Sequence, residues 1–163
     1  MIGNLRSISD AQLAELFANP DTVEELLYES DEQSPEELDI EKTWHGLHYL
    51  LAGDAWGGDP PLNFLVSGGR EIGDVDVGYG PARGFTSAEV AEIAAALDPI
   101  TSDDLRSRFD PERMMAAQVY PEIWDRDPAE DDAVGYLVEY FEMLKPFVRA
   151  ARDDGKGLVV YLN

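Results

Sequence analysis

The chain opens with a loosely alternating apolar run, Ile2 to Ile8, which predicts a first strand. Ser9 and Gln12 have capping-box spacing and open a helix to about Ala18, stopped by Asn19-Pro20. Asp21 with Glu24 repeats the spacing and predicts a second helix ending near Tyr28. Glu29 to Glu37 is polar, acidic and broken by Ser34-Pro35, the composition of a solvated loop. From about Asp39 to Leu51 the period becomes helical. Ile40, Trp44, Leu47 and Leu51 define one buried seam, and Gly53 ends the segment.

The middle of the chain is rich in glycine. Leu62 to Val66 is a short apolar run after Pro60-Pro61 and predicts a buried strand turned by Ser67-Gly68-Gly69. Ile72 to Tyr79 continues as a strand-like segment with Gly73, Asp74, Asp76 and Gly78, and Gly80-Pro81-Ala82-Arg83 follows. Thr86 with Glu89 caps a helix through Leu97 whose apolar stripe is Val90, Ile93, Ala94 and Leu97. Thr101 or Ser102 opens a short helix, and Asp110-Pro111 opens another by the cap-then-proline rule. Tyr120 to Trp124 reads as an ordered aromatic loop. The last helix spans roughly Asp131 to Arg152, with Leu137, Phe141, Leu144, Val148 and Ala151 on one face and Pro146 expected to bend it. Leu158 to Leu162 is apolar at every position, the pattern of a strand covered on both faces. The sum is an α/β single domain, 1–163. It has a mixed β-sheet flanked by helices and a long C-terminal helix followed by a buried terminal strand.

Composition narrows the partners. The 163 residues carry 34 Asp+Glu against 12 Lys+Arg, a formal net charge of −22. Such a surface repels phosphate backbones and anionic lipid, so neither nucleic acid nor a membrane surface is an expected partner. A basic protein or a cationic ligand is. The acid is densest at Asp21–Glu41 and Glu122–Asp132. The absence of cysteine removes disulfides, zinc-cysteine sites and thiol chemistry, and suits a reducing compartment. The opening Met1–Arg6 segment lacks the pattern of a secretory signal, and no apolar run reaches the ~18 residues needed to span a bilayer. A cytoplasmic location is the expectation, and the pattern specifies no oligomeric state.

Both histidines fall in one helical turn, Trp44-His45-Gly46-Leu47-His48. At i, i+3 their rings can converge to share a metal or to act as base and orienter. The zinc-protease pattern needs i, i+4 spacing and an adjacent glutamate, so no metal is assigned. The alternative packs His48 by a hydrogen bond at the seam edge and His45 on a neighbouring loop. In that case His45 is the better candidate to meet solvent. Gly46 in mid-helix costs ~1 kcal/mol relative to alanine, which implies a close approach there, by a neighbouring backbone rather than a ligand.

Arg83 stands among Asp74, Asp76 and Glu89. It is either a structural ion pair that organises the glycine loop or an anion-binding arginine with Tyr79 beside it. Gly68 and Gly73 have P-loop spacing, but Asp74 occupies the lysine position and would repel phosphate. No serine or histidine nucleophile constellation can be assembled, and no cofactor is expected. The ligand-binding candidates are therefore His45, His48, Asp74, Tyr79 and Arg83.

Three stretches carry a resemblance. They are Asp39-Ile40-Glu41-Lys42-Thr43-Trp44-His45-Gly46-Leu47-His48, Gly68-Gly69 through Gly78-Tyr79-Gly80-Pro81-Ala82-Arg83, and Tyr120-Pro121 with Trp124. The chain resembles the YfbM-like family, a bacterial domain of unknown function, from Ile2-Gly3-Asn4 to the terminal strand. The resemblance implies an α/β fold with a mixed sheet flanked by helices. It brings no established activity and no catalytic residues. Two expectations remain: a non-catalytic interaction or regulatory module for a basic protein, and a small-molecule site or weak hydrolase at the histidine turn and glycine-rich loop.

Overall fold

The last strand of the chain is the middle of its sheet. A computed structural model describes residues 1–28 and 34–163. Its strands are β1 (Gly3–Ile8), β2 (Glu37–Asp39), β3 (Arg70–Asp76), β4 (Pro81–Phe85) and β5 (Gly157–Leu162), in the spatial order β2-β1-β5-β4-β3. Leu158, Val159 and Val160 of β5 are buried, consecutive residues on opposite faces, as an uninterrupted apolar strand requires.

The helices are α1 (Asp10–Ala18), α2 (Val23–Tyr28), α3 (Trp44–Ala52), α4 (Ser87–Leu97), α5 (Ser102–Arg108), α6 (Pro111–Ala116) and α7 (Ala133–Asp153). Ser9, Thr86 and Thr101 each close a reciprocal capping box with the residue three positions on. Asp110 caps α6 ahead of Pro111, and Gly53 ends α3 with φ 76°, a left-handed conformation that costs glycine nothing. Asp21 does not cap a helix: Pro20–Thr22 is a 3₁₀ turn feeding α2. Another 3₁₀ turn, Glu41–Thr43, leads into α3, which therefore starts later than its apolar seam suggests.

Two apolar cores sandwich the sheet. On one face Leu5, Phe85, Leu158 and Val160 pack with the seams of α3, α4, α5 and α7. On the other, Ile8, Ile72, Ala82 and Val159 meet Leu13, Leu16, Val23 and Leu27 of α1 and α2. Each of these side chains contributes roughly 1.5–3 kcal/mol by leaving water, which offsets the ordering of the chain. The α7 stripe Leu137, Phe141, Leu144, Val148 and Ala151 is buried, chiefly against α4 and α5 and more lightly against β5.

Three expectations are corrected. The sheet is not mixed, because every strand pair is antiparallel. The helices after β4 return the chain to the end it left, so β5 starts beside the end of β4 (Phe85↔Leu158) and of β1 (Ile8↔Gly157) and must run against both. Leu62–Val66 is a run of turns, not a strand. The Asn63 carbonyl accepts the N–H groups of Val66 (3.3 Å), Ser67 (3.1 Å) and Gly68 (2.9 Å), which curls the segment, although Phe64 and Leu65 are still buried. Finally, Glu37, placed in the acidic loop, starts the short strand β2 on the edge of β1. Residues 29–33 of that loop lie outside the described residues.

Candidate functional site

The histidine turn is interior. Helix α3 is buried on almost every side, and both His45 and His48 are 0% exposed, which overturns the expectation that His45 meets solvent. The His45 ring is fixed at both nitrogens. Nδ1 accepts the backbone N–H of Tyr120 at 2.9 Å, so the proton resides on Nε2, 2.6 Å from the Ala55 carbonyl that accepts it. Trp44 lies parallel to it, with ring centroids 4.8 Å apart, and Trp56, itself 60% exposed, leans on it at 4.2 Å. Burial pushes the imidazole below its ordinary pKa, against the Ala55 carbonyl, which favours the charged form.

His48 is held differently. Neither ring nitrogen has a hydrogen-bond partner among the described residues, so the expected seam-edge bond is not formed. Burial, then the neighbouring His45, pushes its pKa down to about 4; the Gly57 backbone and the Asp54 carboxylate oppose the shift, and the Arg83 charge adds to it. The ring is neutral at physiological pH.

Arg83 makes no ion pair among the described residues. Its guanidinium donates to the carbonyls of Phe64 (3.1 Å), Gly68 (2.5 Å) and Leu65 (2.7 Å), tying β4 to the turns at 62–68. Those are backbone groups that a strand would have paired, and the arginine replaces the missing ladder. Burial lowers its pKa to about 10, with Glu71 acting against the shift. Asp74 and Tyr79 lie apart from this cluster. Asp74 is exposed on the edge strand β3 and Tyr79 is exposed at the tip of the β3–β4 hairpin, where its N–H donates to the Leu162 carbonyl. No hydrogen bond or ion pair joins either to His45, His48 or Arg83. His45 and His48 share α3, and the Arg83 charge reaches His48, so these three are neighbours in the fold. No group of three His, Asp or Glu side chains among the described residues has the arrangement of a metal site.

Gly46 explains the company kept by this turn. A Cβ there would come within 2.7 Å of Trp124 Cη2 and of Leu137 Cδ2, so side chains from the aromatic loop and α7, not a backbone, press on the helix. Trp124 is held in place by its indole N–H, which donates to the Val119 carbonyl at 2.7 Å.

Above Trp124 the surface opens into a groove of about 480 Å³ between the start of α6 and the start of α7. Its floor is Phe109, Trp124, Ala133 and Val134, and its rim carries Asp110, Glu112, Asp125, Asp131 and Asp132 with one cation, Arg126. Three rim carboxylates have work within the fold: Asp110 and Asp132 cap α6 and α7, and Asp131 pairs with Arg126 at 2.9 Å. Glu112 and Asp125 make no hydrogen bond or ion pair among the described residues. The acidic run Glu122–Asp132 was the sequence signal for one wall. The opposite wall, Asp110 and Glu112, was legible only as a helix start, since its place depends on how α5 and α6 fold back.

No helix among the described residues is long and apolar enough to cross a membrane. Among curated proteins none matches this chain. In three dimensions it is similar to a solved protein of unknown function, YfbM from Escherichia coli. The TM-score is 0.77 at 22% sequence identity, over 98% of each chain, and the likeness is one of fold. Residues 1–161 match the family described as domain of unknown function DUF1877, and the chain belongs to that family.

Proposed function

We propose that this protein is a non-catalytic interaction module that binds a basic segment of a partner protein in the groove between α6 and α7. One observation carries the reading. An apolar floor containing Phe109 and Trp124 lies inside a rim of five carboxylates and one arginine; Arg126 is taken up by Asp131, and Glu112 and Asp125 have no partner among the described residues. An occupant that places a lysine or arginine on the rim and an apolar side chain on the floor complements both surfaces at once. The charge of −22 steers such a partner toward the protein and speeds encounter more than it strengthens the complex. The two buried histidines are supports for α3 and its loop in this reading, and no residue is assigned a catalytic role.

The experiment is titration of the full chain with a twelve-residue peptide of alternating lysine and leucine, followed by tryptophan fluorescence and by NMR shifts of the Trp124 indole N–H, Val134 and Glu112. Expected are saturable binding, shifts confined to the groove, and affinity falling at least tenfold between about 50 and 300 mM salt. Glu112→Gln with Asp125→Asn should weaken binding at least fivefold without changing the melting temperature. Shifts spread evenly over the acidic surface, or an unaffected double variant, would overturn the reading.

A further inference from the structure

A second cavity, of about 420 Å³, lies where the sheet row β2-β1-β5 faces α2. It lies within the ~300–1,000 Å³ range of small-molecule sites. Its polar wall follows from strand register. Asp39 of β2 is opposite Asn4 of β1, and Asn4 is opposite Tyr161 of β5. Residues directly opposite one another share a face, with strands about 4.8 Å apart, so Asp39, Asn4 and Tyr161 form one row across the sheet.

Tyr161 is the informative member. It is 7% exposed, it lines the cavity, and its hydroxyl makes no hydrogen bond to any described residue. A buried phenol ordinarily finds a partner, and this one opens onto the cavity in place of one. Burial, reinforced by Glu37, pushes its pKa up to about 12, so it stays a neutral hydroxyl able to accept as well as donate.

The rest of the wall fixes the sign and shape of an occupant. Asp39 uses Oδ1 to accept the Glu41 N–H at 2.6 Å, and its second oxygen has no partner among the described residues. Glu37 is already ion-paired with Arg6. Asn4 donates its amide to Asn163 Oδ1 at 3.0 Å and to the Ile2 carbonyl at 3.3 Å, which leaves its own oxygen as an acceptor. Ile2, Leu27 and Leu38 supply apolar wall. Among the described residues no lysine or arginine lines the cavity, and the nearby Arg6 is already paired with Glu37, so an anion would meet the Asp39 carboxylate. A carboxylate, a phenol and an amide oxygen in one row match the three donors of a primary ammonium, and the leucines suit a short alkyl stem.

From this row we infer that the cavity binds a primary alkylammonium group, carried by a free aliphatic diamine or by a lysine side chain. The site is separate from the acidic groove and does not depend on it.

Calorimetric titration of the full chain with 1,4-diaminobutane and, separately, with Nα-acetyl-lysine amide tests it, with 1-butanol as the uncharged control. The expected result is saturable one-site binding of at least one amine, no binding of 1-butanol, and NMR shifts at the Asn4 and Asn163 side-chain amides. The tighter amine identifies the source of the group. Asp39→Asn should weaken binding at least tenfold and Tyr161→Phe about threefold or more, while Glu112→Gln with Asp125→Asn leaves it unchanged. Asp39 is exposed, so its variant tests the site even if Tyr161→Phe disturbs the sheet. Unsaturable uptake of every cation, equal binding by Asp39→Asn, or no amine binding at millimolar concentration would overturn the inference.

Discussion

The backbone N–H of Tyr120 donates to Nδ1 of His45 at 2.9 Å, joining the aromatic loop to α3 across 75 residues of sequence. The same ring serves Ala55 on its other side, so one side chain fixes two loops and its own tautomer.

His45→Ala therefore strands a buried N–H and a carbonyl and opens a cavity beside Trp44. Each unpaired group costs about 1–3 kcal/mol, and a total loss of roughly 2–5 kcal/mol is expected in urea unfolding. Near-ultraviolet circular dichroism should lose signal from the Trp44–His45–Trp56 stack at the same time. A change within 1 kcal/mol would mean that the ring is not the support described.

His48 makes stability pH-dependent. Its folded pKa is depressed to about 4 from the ordinary imidazole value of about 6.5, so the unfolded chain takes up the proton first. The contribution of the neutral ring is complete above about pH 6.5 and is lost as pH falls toward 4, reaching about 2 kcal/mol at pH 5. His48→Leu removes both the proton site and two unpaired nitrogens. Comparing urea midpoints of the two proteins at pH 7.5 and 5 isolates this effect from the titration of the carboxylates, which they share. The variant should gain on the parent as pH falls; parallel curves would refute the assignment.

Gly46→Ala should destabilise the protein although alanine is the better helix former. Helix propensity favours the change by ~1 kcal/mol, whereas overpacking costs typically ~1–3 kcal/mol. Trp124 is pinned by its bond to Val119 and cannot easily give way. A net loss of about 1–2 kcal/mol is expected in thermal or urea unfolding, and a gain in stability would show that the contact relaxes freely.

Elements that declare themselves through nearest neighbours were legible. The capping boxes at Ser9, Thr86 and Thr101, the cap-then-proline at Asp110 and the apolar β5 each rest on residues within a few positions, and each is found. Leu62–Val66 misled because an apolar run records burial, not conformation, and Arg83 satisfies its carbonyls from another strand. The candidate site suffered in the same way. His45, His48 and Arg83 have the right chemistry, but their partners are backbone groups at 55, 120 and 64–68, or none, which no spacing rule reports.

By itself the sequence determined the caps at Ser9, Thr86, Thr101 and Asp110 with their helices, the two-sided burial of the last strand, the acidic charge and the family resemblance. The first three follow from local propensity, periodicity and total charge, and the resemblance rests on the motif strings around His45, Gly78 and Tyr120. Only the tertiary structure decided that the sheet is antiparallel throughout, that the histidine turn is interior, and that Asp39, Asn4 and Tyr161 stand in one row. The physical reason is that register and burial depend on contacts between residues far apart in the chain. Those contacts form only when the apolar faces of both sheet sides close together.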